Sequence, residues 1–335
     1  GVIGVSAGAI HGLSYVARQR GRNMRYNMKY RNNKHYMSLY SLLTTGDICG
    51  EQFCYHDIPE KLDPLDYDAF LANPTKLYVG CSNLDTGEAE YLECTDMRKP
   101  KVRASASLPL VSNIVEVDGM KLLDGGVSDS IPIFAFRRMG YRRNIVVLTR
   151  PEGYRKGPDK MLRLEAGRYR EYPEFVKRCH MRHMYYNKTL DKLEELEKEG
   201  DTLIIRPSET IEISRLEKKP EMIEAMYELG VYDAKEKLQQ VKKFLRESKE
   251  ESRDYTHGQA QQQTRLHSRP DNGIYDILIL SGMDIPESVD TQKKAQENHS
   301  KMAETPVPSL ILSLSVSTIF TMLIATSYNI VDTYF

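Results

Sequence analysis

The feature that most constrains this chain is the stretch Gly4-Val5-Ser6-Ala7-Gly8, which lies between an apolar strand (VIGV) and a helical run over 7–20. A strand that becomes a helix within so few residues must bend sharply at Ser6. The bend is expected to hold Ser6 in a strained backbone conformation and to lift its hydroxyl above a sheet edge. Side chains two positions away would collide with neighbouring backbone, so glycine is expected to be required at Gly4 and Gly8. The helix that starts at Ala7 aims its N-terminus at the same place, where free N–H groups favour a developing oxyanion. Turns of small residues that happen to carry a serine are common; the strand before and the helix after are what make Ser6 a candidate nucleophile.

Further along, short apolar runs alternate with helical stretches through residue 150. Leu77–Val79, Glu90–Glu93, Lys121–Leu123 and Asn144–Thr149 read as strands. The alternation favours an α/β fold with a mainly parallel sheet covered on both faces. After Pro151 the chain becomes rich in Arg, Tyr and Lys; LDKLEELEKE (190–199) reads as a helix stopped by Gly200, and TLIIR (202–206) as a strand. Two helices are expected over about 219–229 and 233–248. The resulting division is 1–150, an α-rich extension over 151–250, and a tail over 251–335. The tail is polar and reads as disordered apart from the island IYDILIL (274–280) and a charge-free stretch, 305–331. Leu310–Ile330 is long enough to cross a bilayer as a helix, so a tail anchor and an unstructured terminus both stay open.

The chain carries 47 basic and 47 acidic residues in 335, which argues against a nucleic-acid binder held by phosphate contacts. Its five cysteines (Cys49, Cys54, Cys81, Cys94, Cys179) form no CxxC pair and read as buried reduced thiols of a cytoplasmic protein. No phosphate loop, dinucleotide fingerprint, H-E-x-x-H or EF-hand loop occurs, so no metal and no cofactor is expected.

Asp124-Gly125-Gly126 follows the strand MKLL, placing a carboxylate at a strand end, where ligand sites of open α/β sheets gather. Alone it would read as a glycine turn with an ordinary aspartate, and ASASLP (104–109) as a helix end with a proline stop. In order, however, G-x-S-x-G, ASASLP and DGGVSDSIP, with Pro132 in place, resemble the patatin-like phospholipase family. YRKGPDKM, RHMYYN and LEKEGDTLIIRPS resemble the C-terminal extension of its bacterial, cytosol-type branch. The likeness covers about 1–250.

That resemblance implies a three-layer patatin-type sheet flanked by helices, with a small α-rich C-terminal extension. It implies a lipid acyl ester hydrolase of phospholipase A or lysophospholipase type with a Ser–Asp dyad: Ser6 as nucleophile, Asp124 as general base, and an acyl-enzyme on Ser6. Gly4, Ala7 and Gly8 would support the elbow and oxyanion, and Gly125 and Gly126 would shape the dyad loop. Phospholipid or lysophospholipid would be the substrate and a peripheral membrane surface a further partner. The family's glycine-rich oxyanion loop lies upstream of the elbow, and only five residues precede Ser6 here. The chain is therefore expected to lack its first strand and that loop, and to be nearly inert alone while its parent is active.

Rival readings remain. His11, His35, His56, His180 and His183 fall in or near the catalytic half, and His180 or His183 could complete a Ser–acid–His triad. The basic run Arg18–Arg31, with Tyr26 and Tyr30 interleaved, reads either as a contact for anionic lipid headgroups or as a solvated loop. Arg103 reads as half of an ion pair or as a phosphate ligand. From a different class, the chain could be a non-catalytic membrane-associated scaffold that keeps the fold for lipid docking.

Overall fold

The structure, a computed structural model, describes residues 1–95, 100–211 and 217–263, with side chains of the last helix as far as Glu247. The hub of its main sheet is β2 (Leu77–Asn83), where nearly every residue is buried. β3 (Ala89–Glu93) runs antiparallel along one edge of it, from Tyr78 opposite Glu93 to Ser82 opposite Ala89. The other edge is shared by two strands. β1 (Val2–Val5) lies parallel to its first half, with Val5 opposite Gly80. β5 (Met120–Asp124) lies antiparallel to its second half, with Asp124 opposite Cys81, and β4 (Val115–Val117) pairs with β5. β1 and β5 thus run toward each other along one edge, and their C-terminal ends meet.

The α/β fold stands, but the main sheet is mixed rather than mainly parallel: only β1 and β2 are parallel in it. The reason is local. Asp118 and Gly119 both have positive φ, 50° and 79°, which suits the tight two-residue turn that joins antiparallel strands, so β4 and β5 fold back as a hairpin. Gly87, at φ 69°, lies in the turn between β2 and β3. The three-residue β4 went unrecognised in the sequence.

α1 (Ala7–Val16) covers one face of this sheet, with Ala9, Tyr15 and Val16 against Val2, Leu77 and Val79. It stops at Val16 rather than running to 20, because Arg18 takes a left-handed conformation at φ 56°. Between β1 and β2 follow α2 (Arg22–Tyr30), α3 (Leu39–Thr45) and α4 (Tyr67–Ala72). The ASASLP segment begins in α5 (Lys101–Ser105), whose Val102 and Ala104 pack in the same core, and α6 (Ile133–Arg138) and α7 (Leu162–Arg168) come after β5.

The second half is built onto the first. β6 (Asn144–Val147) pairs in parallel with β7 (Thr202–Ile205) across residue 150, so the two stretches share a small sheet. α8 (Pro173–Lys198), which holds all but the last residue of the expected 190–199 helix, packs Leu190, Leu193 and Leu196 against Leu148 and Ile204. Nearer its start, Phe175 and Cys179 join Tyr169, Leu123 and Val127 beneath the Asp124 strand. The two helices expected over 219–229 and 233–248 are one, α9 (Pro220–Gln263), which passes straight through Gly230. Its Ala234 and Val241 pack on Ile205, and that burial outweighs the roughly 1 kcal/mol helix penalty of a glycine. The tail expected from 251 is therefore helical backbone to Gln263. The 274–280 island and the 305–331 stretch lie outside the described residues, and among those described no helix is long and apolar enough to cross a membrane. Cys81, Cys94 and Cys179 are buried, whereas Cys49 and Cys54 are half-buried, a correction to the expectation for all five.

Candidate active site

Ser6 caps α1 with φ 57° and ψ −121°, a left-handed conformation that non-glycine residues adopt only when their surroundings impose it. Two features impose it. A Cβ at Gly4 would sit 2.4 Å from the Gly8 carbonyl oxygen and 2.7 Å from the Ala9 nitrogen, so only glycine lets strand and helix approach this closely. The Ser6 N–H in turn donates to the Ser105 hydroxyl at 3.0 Å, and that hydroxyl donates to the Gly80 carbonyl at 2.6 Å. The expected need for glycine at Gly8 is corrected: a Cβ there meets nothing within 4 Å, because Gly8 already lies inside the helix and faces open space.

Asp124 ends β5 and is buried. Its backbone is fixed on both sides: the N–H donates to the Ser107 carbonyl at 2.8 Å, and the carbonyl accepts from the Ser82 hydroxyl at 2.8 Å. Its Oδ1 accepts from the Gly126 N–H at 2.7 Å, which turns the carboxylate over its own loop. Glycine is required next door, since a Cβ at Gly125 would lie 2.2 Å from the Gly80 carbonyl oxygen. A Cβ at Gly126 would lie 2.9 Å from Asp124 Oδ1 and 3.2 Å from Arg182 Nη2, so the α8 guanidinium reaches the same turn.

The sheet brings Ser6 and Asp124 to one place. With Val5 opposite Gly80 and Asp124 opposite Cys81 on the same edge, the two strand ends are one register step apart, about 3.4 Å along β2. Ser6 is buried, and its Oγ makes no hydrogen bond, to Asp124 or to any histidine. α1 begins at Ala7, so Ser6 sits at its N-terminus, beside the positive end of the helix dipole, although its side chain makes no capping hydrogen bond.

Of the histidines, His180 is exposed on α8 and His183 half-buried on the same helix. His11 is buried within α1, where desolvation pushes its imidazole down to about 3 and keeps it neutral. Arg103 forms ion pairs with Glu51 at 2.5 Å and Asp47 at 3.6 Å. Arg22 and Arg25 of the basic run both engage Asp63. Among the described residues, no group of His, Cys, Asp and Glu converges to hold a metal.

Sequence reasoning undervalued the ASASLP segment. Ser105 anchors the Ser6 N–H and Ser107 the Asp124 N–H, so one short stretch ties down both candidate residues. Arg182 was also missed, because nothing in the sequence says which face of α8 meets the Gly125–Gly126 turn.

Residues 1–137 match the patatin-like phospholipase family, and residues 172–246 match a domain of unknown function, DUF6363. An uncharacterized protein of Escherichia coli K12, YjjU, is 23% identical over 168 residues, which are 49% of this chain and 47% of that protein. The chain thus spans about half the length of the relative it matches.

Proposed function

We propose that this protein, whose residues 1–137 match the patatin-like phospholipase family, hydrolyses acyl esters of phospholipids or lysophospholipids through a Ser6–Asp124 dyad. The observation that carries this reading is the meeting of the β1 and β5 ends on one edge of β2, at Gly80 and Cys81. Ser6 Oγ attacks the acyl carbonyl while Asp124 takes the hydroxyl proton. The carbonyl oxygen gathers negative charge before the N-terminus of α1, where the Ala7 N–H stabilises it. The intermediate then collapses: the ester C–O bond breaks, Asp124 returns the proton to the departing alcohol, and the acyl group stays on Ser6. Water attacks the acyl-enzyme while Asp124 takes its proton; the acyl–Oγ bond then breaks, Asp124 returns the proton to Ser6 Oγ, and the fatty acid leaves. An ordinary carboxylate, with a pKa near 4, is a poor base toward a hydroxyl; a buried, water-poor site is what makes the dyad workable.

The test is a fluorophosphonate probe on the full-length protein. Labelling that disappears in Ser6→Ala supports the hydrolase. The non-catalytic scaffold draws support from the Ser6 hydroxyl, which makes no hydrogen bond; a well-folded protein that takes no label would establish it.

A further inference from the structure

The most exposed large apolar side chains of the described residues include two leucines on one face of one short helix. α3 (Leu39–Thr45) carries Leu43 at 85% exposure, Leu39 at 65% and Tyr40 at 44%. Positions 39 and 43 are one turn apart and so project side by side. Water-facing leucine pairs of this kind mark a surface that meets something apolar.

Charge identifies the occupant. Residues 1–46 contain no Asp or Glu but seven cations: Arg18, Arg20, Arg22, Arg25, Lys29, Arg31 and Lys34. Arg22 and Arg25 are engaged with Asp63, whereas Lys29 and Lys34 are exposed and lie over tyrosine rings, Lys29 5.2 Å from Tyr30 and Lys34 4.6 Å from Tyr40. A run of ring contacts joins the two lysines: Tyr30 to Phe53 at 5.4 Å, Phe53 to His35 at 6.5 Å, and His35 to Tyr40 at 5.5 Å. Leucines, aromatic rings and cations side by side are the composition of a surface that enters an anionic headgroup layer.

The helix is also bolted to the candidate site. Gly46 ends it at φ 80°; Asp47 Oδ1 accepts from the Asn113 N–H at 2.8 Å, and the Ile48 N–H donates to the Val111 carbonyl at 2.9 Å. Asp47 also pairs with Arg103, on the helix that ends in Ser105. We propose that α3 is a docking helix for an anionic lipid bilayer, with Leu39, Tyr40 and Leu43 entering the headgroup layer and Lys29 and Lys34 meeting lipid charge. This deepens the lipid-ester reading and rests on it for the choice of a bilayer over other apolar partners.

The experiment sediments full-length protein carrying Ser6→Ala, which leaves lipid intact, with vesicles of phosphatidylcholine alone or mixed with phosphatidylserine. Binding is expected only to the anionic vesicles and is expected to weaken in high salt. Leu39→Ser with Leu43→Ser should weaken it by about tenfold or more, and Lys29→Glu with Lys34→Glu likewise. With Ser6 intact, both double variants should turn over a soluble short-chain ester at the parent rate and melt at the parent temperature. Double variants that sediment like the parent would overturn the docking helix. So would a lipid-free dimer that the leucine substitutions dissolve, since a second copy would then be the occupant. Failure of the hydrolase reading looks different: no fluorophosphonate labelling, with anionic-vesicle binding retained.

Discussion

The hydroxyl of Ser105 accepts a hydrogen bond from the Ser6 N–H at 3.0 Å and donates one to the Gly80 carbonyl at 2.6 Å, joining the bend after β1 to the middle of β2. All three partners are buried, so removing the hydroxyl strands a donor and an acceptor away from water. Ser105→Ala is expected to cost about 1–3 kcal/mol of stability, read as a lower melting temperature. It should also free Ser6 to relax from its left-handed conformation, so ester turnover should fall about tenfold or more beyond what unfolding explains. Turnover at the parent rate by a folded Ser105→Ala protein would show that the bend holds itself.

The glycines around the bend are not equivalent. A Cβ at Gly4 meets Gly8 and Ala9 backbone, and one at Gly125 meets Gly80 backbone, so neither can be accommodated by a side-chain rotation. Gly4→Ala and Gly125→Ala are each expected to lose about 1–3 kcal/mol or more, as overpacked interiors do. Gly8, inside α1 with open space beside it, should behave in the opposite sense: Gly8→Ala should raise stability by up to about 1 kcal/mol. Thermal melts of the three variants decide the matter, and a Gly8→Ala protein as damaged as Gly4→Ala would contradict the geometry.

How much of this was legible in the sequence differs by feature. The bend at Ser6 was, because an apolar strand, two flanking glycines and a helix all lie within sixteen residues of local sequence. The strands Leu77–Asn83, Ala89–Glu93 and Met120–Asp124 were found to within a few residues for the same local reason. Their direction was not, although Val117-Asp118-Gly119-Met120 carries a hairpin signal that should have argued for antiparallel pairing. α9 was split at Gly230 because propensity speaks locally, whereas Ile205 lies far away in sequence and packs against Ala234 and Val241. ASASLP was legible as a motif, but the anchoring roles of Ser105 and Ser107 were not. Their partners, Ser6 and Asp124, lie 99 residues behind and 17 ahead, and only the fold brings them together.

Glu165, on α7 (Leu162–Arg168), is a buried carboxyl that no catalytic step uses. Desolvation pushes it up from an ordinary value of 4.5 to about 7; Asp159 adds to the rise, while Arg182 and a hydrogen bond with Cys179 oppose it. The folded protein therefore holds this proton more tightly than the unfolded chain does. Below about pH 4.5 both states are protonated and nothing is lost. Between about 4.5 and 7 the unfolded chain releases its proton first, so stability falls as pH rises, and above about 7 the loss is complete. Glu165→Gln should melt like the parent near pH 4.5 and higher than it near pH 8, by up to roughly 3 kcal/mol. A constant difference across that window would remove the titration from the account.

The choice of base can be decided by two substitutions made in parallel. Asp124 ends the strand that meets β1, whereas His180 is exposed on α8 and no histidine bonds the Ser6 hydroxyl. Replacing His180 and His183 together by alanine is expected to leave turnover of a short p-nitrophenyl ester by the full-length protein within about twofold. Asp124→Asn should abolish it, because the amide keeps the hydrogen bond from the Gly126 N–H but cannot take a proton from serine. Loss on the histidine substitutions with the Asp124→Asn protein still active would transfer the base to α8 and turn the dyad into a triad. The melting temperatures of both variants accompany the assay: Asp124 lies in the buried end of β5, and only a folded, silent Asp124→Asn protein makes the carboxylate the base.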